Sequence, residues 1–224
     1  MSLDASAFRA LTFDCYGTII DWDGGIRSAL EAVPSLAGCD FDRLVPDRER
    51  VEAELLDGGF RLYGEILFDS LHRTAALHGR ETSDDEARAF VESMGTWPPF
   101  PDSDQALRRL ASRYRLAILS NVETAVLERS LSNFDVPFDA LVTAEKVRSY
   151  KPARVHFDEG LAALDLEPAA ILHVAGSLYH DIRPAQALGW NTVWINRRGD
   201  SIPADLDPET VFPSLAALAD ALVS

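Results

Sequence analysis

The chain has 224 residues, 47% of them hydrophobic, and a net charge of −15 at pH 7. That is enough apolar material for one large domain, or for a core with an insert, and the charge excludes nucleic acid and anionic membrane as expected partners. No stretch reaches the ~18 apolar residues of a membrane span, and no basic-then-apolar leader opens the sequence, so the expected location is cytoplasmic. Cys15 and Cys39 have no metal-binding spacing, and in a reducing compartment they form no disulfide.

The first apolar run, FRALTF (8–13), ends on Asp14 and passes straight into the glycine turn CYGT. Short apolar runs bounded by polar residues read as strands buried on both faces. Residues 22–95 then turn helical, in GGIRSALEAV, DRERVEAELL, RLYGEILFDSLHRTAALHG and SDDEARAFVESM. In the third of these, Tyr63, Leu67, Leu71, Thr74 and His78 share one helix face. His72 and His78 belong to this amphipathic pattern and have no partner at metal-ligand spacing. The proline-rich TWPPFPDS (96–103) reads as a hinge.

Beyond the hinge, helix and strand alternate: helix 102–114, strand LAIL (116–119), helix 123–134, strand ALVT (140–143), helix 153–165, strand AILHVA (170–175), helix 181–189 and strand TVWI (192–195). FPSLAALADALV supplies a closing helix. The alternation predicts an α/β fold, a Rossmann-like doubly wound parallel sheet. The core comprises 1–21 and 96–224, and 22–95 form an α-helical cap inserted after the first strand.

In such a sheet, ligands bind beyond the carboxyl ends of the strands. Those ends carry Asp14, then Ser120 and Asn121, then Lys151, then GSLYHD (176–181). Of 21 basic residues only Lys146 and Lys151 are lysines, so arginine serves wherever a generic surface cation will do. A compact ammonium can sit between two carboxylates where the planar guanidinium cannot. Lys151, in SYKPAR, is therefore read as functional, and Lys146, in AEKVRS, as solvent-exposed.

The order FDCYGTIID, LAILSN, SYKP and HVAGSLYHD resembles the four motifs of the haloacid dehalogenase superfamily. The resemblance implies that Asp14 is a nucleophile forming an ester that water then hydrolyses, with Gly17 and Thr18 in the turn beyond it. It further implies that Ser120 and Asn121 bind the substrate anion, that Lys151 holds the charges of nucleophile and substrate, and that Asp181 supports the site from the fourth motif, next to Ser177 on the substrate side.

Two positions bear on the branch. Phosphatase members carry a second aspartate two residues after the nucleophile, here Tyr16. They also carry an Mg²⁺-holding aspartate before the serine of the fourth motif, here Gly176. A hard divalent cation wants several oxygen ligands, so no metal and no cofactor are expected. The form DxYGT resembles the type II 2-haloacid dehalogenases, in which a cap arginine grips the substrate. Arg48, in VPDRERVE, is the candidate, with Arg43, Arg50 and Arg61 as alternatives. Tyr16 then counts with the substrate-binding residues, as does Trp22, a candidate for an apolar pocket wall.

Phe157 and Leu178 depart from those dehalogenases, which carry tyrosine and asparagine there. The motif combination looks closest to the azetidine-2-carboxylate hydrolase branch, which opens a strained ring beside a carboxylate and has an acidic residue in place of Gly176. The expectation is a metal-independent hydrolase acting through an aspartyl ester on a small 2-substituted carboxylate, either a 2-haloacid or a related C–N ring substrate. A homodimer is one open assembly. The alternatives are a Mg²⁺-dependent small-molecule phosphatase and a non-catalytic relative that binds a small acid or a protein. The Asp14–Lys151 pair disfavours the last, since a pure binder needs no attacking carboxylate.

Overall fold

The structure, a computed structural model, describes residues 3–223. Six parallel strands make one sheet in the order β3-β2-β1-β4-β5-β6. They are β1 Ala10–Phe13, β2 Arg115–Ser120, β3 Ala140–Thr143, β4 Ile171–Ala175, β5 Asn191–Ile195 and β6 Val211–Phe212. The helices are α1 Trp22–Glu31, α2 Phe41–Leu56, α3 Tyr63–Leu77, α4 Asp84–Ser93, α5 Ser103–Ala111, α6 Thr124–Leu131, α7 Ala144–Val147, α8 Val155–Leu164, α9 Arg183–Ala187 and α10 Leu215–Leu222.

Alternation along each strand explains the layers. Leu11, Phe13, Leu116, Ile118, Leu172 and Val174 face one apolar cluster, covered by Leu107 and Leu110 of α5 and by Leu215 and Leu218 of α10. Ala10, Ala117, Leu119 and Ile171 face the other, covered by Phe157 and Leu164 of α8 and Ala185 of α9. Helices thus lie on both faces, the doubly wound arrangement. Each fully buried Leu or Phe contributes about 1.5–3 kcal/mol of transfer free energy.

Three boundaries differ from the sequence pattern. Helix α2 begins at Phe41 instead of Asp47, because the Asp40 side chain accepts from the Asp42 N–H and caps an earlier start, with Pro46 carried inside the helix. The two-residue β6 is too short to show any period. A wide, π-type turn at Leu178–Ile182 precedes α9, capped by the Ser177 side chain.

Helices α1–α4 lie between two crossings that run side by side. The Asp21 N–H donates to Pro98 O (2.9 Å), the Phe100 N–H to Ile19 O (3.0 Å), and Ser103 Oγ to the same Ile19 O (2.7 Å). In this helical segment His78 Nε2 lies 3.0 Å from Asp47 Oδ2 and His72 Nδ1 lies 2.8 Å from Thr82 Oγ1. Among the described residues no helix is long and apolar enough to cross a membrane.

Candidate active site

The carboxyl ends of β1, β2, β4 and β5 open on a cavity of about 720 Å³, whose far wall is Trp22, Glu49, Glu52 and Tyr63 from the helical segment. Asp14 follows β1 directly, and its N–H continues the ladder to Val174 O at 3.1 Å. The chain then turns sharply through Gly17 at φ +87°, a left-handed conformation that glycine adopts at no steric cost. This brings Thr18 back, so that its hydroxyl donates to Asp14 Oδ2 (2.8 Å) and accepts from the Gly176 N–H (2.8 Å).

Lys151 Nζ spends all three of its donors on Asp14 Oδ1 (2.7 Å), Asp181 Oδ1 (2.6 Å) and Leu119 O (2.8 Å). Burial alone would lower its pKa, but the two carboxylates more than offset that and raise it. For Asp181, burial pushes upward, yet Lys151 and a hydrogen bond from His173 outweigh it and bring the carboxyl to about 2. Burial is the dominant influence on Asp14 and raises its pKa against the opposing ammonium. Asp14 is therefore a carboxylate poorly solvated by water and held by specific donors, which suits a nucleophile.

Of the residues singled out in the sequence, Asp14, Tyr16, Gly17 and Trp22 line this cavity, as do Ser120, Asn121, Lys151, Ser177 and Asp181. Thr18 sits behind Asp14. The Asn121 side chain bonds the backbone of Lys151 both ways, accepting its N–H at 2.6 Å and donating to its carbonyl at 3.2 Å, and keeps a second N–H at the cavity. By contrast Ser120 Oγ is buried with no partner in the protein, a hydroxyl left free at the cavity. The Tyr16 hydroxyl pairs with Ser130 Oγ at 2.7 Å, and burial raises its pKa far enough to keep it protonated. Ser177 Oγ accepts the His180 N–H at 3.0 Å. Trp22 meets the Tyr16 and Trp97 rings edge-on, with centroids 6.1 and 5.2 Å away.

Arg48 does not line the cavity. It is 0% exposed, with Nη1 on Glu52 Oε2 at 2.7 Å and its guanidinium 5.6 Å from the Trp22 ring centre. The Tyr63 hydroxyl donates to the other oxygen of Glu52. Arg48 thus braces the wall from behind. Arg43 and Arg50 lie elsewhere on α2, and Arg61 pairs with Asp69 at 2.8 Å.

Sequence reasoning missed Thr12, His173, Glu52 and Arg197. Arg197 donates twice to Thr18 O (3.1 and 2.8 Å) and once to Asp102 (2.9 Å), tying the turn after Asp14 to the proline-rich segment 96–103. His173 and Thr12 did leave a signal, as polar residues inside runs otherwise buried on both faces. No such signal marks Glu52, one acid among many on α2, or Arg197, one arginine in a loop.

Comparison with known proteins gives the same architecture. Haloacetate dehalogenase H-2 of Moraxella sp. (strain B) is 30% identical over 196 residues, covering 85% of this chain and 87% of that protein. The (S)-2-haloacid dehalogenase of Pseudomonas sp. (strain YL) is 27% identical, over 86% and 84% of the two chains. The solved L-2-haloacid dehalogenase from Xanthobacter autotrophicus shares the fold, with a TM-score of 0.80 at 20% identity over 95% of this chain and 97% of that one. The family model for haloacid dehalogenase-like hydrolases matches residues 8–189, from the first strand through the wide turn that carries Asp181, and the chain belongs to that family of hydrolases.

Proposed function

We propose that the protein hydrolyses a carbon–leaving-group bond on a small 2-substituted carboxylate, as a dehalogenase does, through an ester on Asp14 and without a metal. The observation that carries this reading is the cradle of Asp14, a buried carboxylate at the cavity floor with Lys151 on one oxygen and Thr18 on the other. The relatives named above act, by their names, on haloacetate and on (S)-2-haloacids.

In the first step a carboxylate oxygen of Asp14 attacks the substituted carbon. The C–O bond forms as the bond to the leaving group breaks and its electron pair departs with that group. Water then adds to the ester carbonyl carbon of Asp14, and the C–O bond to the product breaks; the product oxygen takes one proton of the water, the other passes to solvent, and Asp14 returns to its carboxylate as the 2-hydroxy acid leaves. Lys151 holds Asp14 in place and stabilises negative charge in both steps. The unpartnered Ser120 hydroxyl donates to the substrate carboxylate. Arg48 acts at one remove, by fixing Glu52 against Trp22 and Tyr63. Residues 22–95 serve as a cap that closes the cavity over the core formed by 1–21 and 96–224.

The residues present do not fit a Mg²⁺ site. A Cβ added to Gly176 would fall 2.6 Å from Gly17 O, so the position at which phosphatase members carry a carboxylate has no room for any side chain. No group of three or more His, Cys, Asp or Glu able to hold a metal occurs among the described residues.

The test is a single turnover of 2-chloropropionate in H₂¹⁸O, with enzyme in excess and a chelator present. The label should enter Asp14 and not the product, and Asp14→Asn should abolish turnover. Label delivered straight to product makes water the direct nucleophile, and activity that requires Mg²⁺ returns the phosphatase reading.

A further inference from the structure

Strand β4 is buried along all five residues and carries one titratable side chain. His173 is 0% exposed and packs edge-on against the rings of Phe157 and Trp190, with centroids 5.7 and 6.0 Å away. It has no surface on the cavity, so it cannot touch substrate. Thr12, its register partner on β1, has Oγ1 2.9 Å from His173 Nδ1. On the other side, Asp181 Oδ1 lies 3.1 Å from Nε2.

The direction of these bonds follows from what each group can do. An ionised carboxylate only accepts, so Nε2 carries a hydrogen toward Asp181, which leaves Nδ1 placed to accept from the Thr12 hydroxyl. The chain of donors therefore runs from Thr12 to His173 to Asp181, where it meets Lys151 coming from Asp14. Asp181 takes both donors on one oxygen, Oδ1, while Oδ2 is buried with no partner. With Lys151 alone, the carboxylate would be free to rotate and offer either oxygen. His173 removes that freedom.

We propose that His173, locked by Thr12 in its Nε2–H tautomer, is a positioning residue that fixes the Asp181 carboxylate so that Lys151 is docked on Asp14. The charged and titratable groups around it are Asp181 on the wide turn, then Lys151 and Asp14 beyond it. His156 on α8 and His180 on the wide turn also feel those charges. Burial lowers the pKa of both, to about 4 for His156, so neither adds positive charge near neutral pH. Only the kinetic part of the test below rests on the ester chemistry proposed for Asp14.

Three variants and one spectrum decide the matter. His173→Met removes both hydrogen bonds at similar volume, His173→Gln keeps a donor toward Asp181, and Thr12→Val removes the lock alone. With 2-chloropropionate, His173→Met should lose about tenfold or more in kcat, as expected for a lost hydrogen bond to a charged group, with KM within about twofold. Its acid limb should move to higher pH, because Asp181 short of a donor takes up its proton sooner. Gln should recover most of the loss, and Thr12→Val should fall between.

The arms that need no substrate are the acid-unfolding midpoint and the imidazole ¹⁵N spectrum. The midpoint should rise in pH for His173→Met, and the wild-type spectrum at pH 7 should show the imidazole hydrogen on Nε2 and none on Nδ1. If His173→Met fails to fold, the spectrum and Thr12→Val carry the test. An Nδ1–H tautomer, a wild-type kcat in Met, or a Gln variant as impaired as Met with an unmoved acid limb overturns the proposal. Absence of any turnover by the wild type, with the spectrum and midpoint as expected, overturns the proposed function and leaves this one standing.

Discussion

Replacing Lys151 with methionine keeps the unbranched stem, one atom shorter, and removes its charge. The ammonium is bonded to two carboxylates and one carbonyl at 2.6–2.8 Å, and the side-chain exposures are 1% for Lys151, 11% for Asp14 and 1% for Asp181. Removing one partner of a buried ion pair costs about 3–5 kcal/mol. For a chain of this size that lowers Tm by about 6–20 °C at pH 7, at roughly 2–4 °C per kcal/mol.

The pH dependence should also steepen. In the wild type, Asp181 is depressed to about 2 from an unfolded value near 3.9. Its contribution is therefore complete above about pH 4 and is lost as pH falls toward about 2. In the variant, both carboxyls are buried without a cation, so their pKa values rise above the unfolded value. The destabilisation is then greatest near neutral pH and relaxes as the solution is acidified and one carboxyl takes up a proton. Urea midpoints measured from pH 7 to 4.5 at constant ionic strength should rise more steeply for Lys151→Met than for the wild type, in which Asp14 alone is raised and Asp181 is depressed. Parallel curves for the two proteins, or a loss below about 1 kcal/mol at pH 7, would refute the electrostatic account of the site.

Ser120→Ala deletes a buried hydroxyl with no partner in the protein, so it should leave Tm unchanged or slightly raised while kcat/KM falls about tenfold, the worth of one hydrogen bond to a charged group; a loss of stability at unchanged kcat/KM would show a structural hydroxyl. Gly176→Asp forces a Cβ to within 2.6 Å of Gly17 O, and thermal unfolding should report a loss of about 1–3 kcal/mol or more from overpacking, with no gain of Mg²⁺-dependent phosphatase activity. Arg48→Met strands Glu52, whose side chain is only 13% exposed, so Tm should drop by about 6 °C or more with KM changed less than tenfold. An unchanged Tm with a large rise in KM would put Arg48 on the substrate.

What the sequence made legible were the features written in local pattern. Asp14 at the end of an apolar run, the lone lysine before Pro152 and the alternation of runs after residue 102 each state their own surroundings. Registration across the sheet was hidden, because nothing in FRALTF and AILHVA says that Thr12 and His173 are neighbours. Arg48 shows the converse limit. Its spacing and charge suit a substrate anchor, while the pairing with Glu52 one turn further along α2 and the unpartnered Nε are visible only in the packing. Asn121 is similar, since an amide beside a strand end looks free until Lys151 is folded against it.

The crossing pair at 19–21 and 98–100 has a consequence for how such a protein diversifies. From the viewpoint of the sheet, everything between Asp21 and Pro98 is one long loop whose ends are already hydrogen-bonded neighbours. The entropy of closing such a loop grows only with the logarithm of its length, so helices can be added, trimmed or exchanged there without disturbing the pairing of β1 with β2 and β4. The chemistry of Asp14, Lys151 and Asp181 is anchored on one side of that seam, and the shape of the wall facing them is encoded on the other. A lineage built this way can reshape the wall of its cavity by rewriting one contiguous stretch of sequence while the polar cluster at the strand ends is inherited intact.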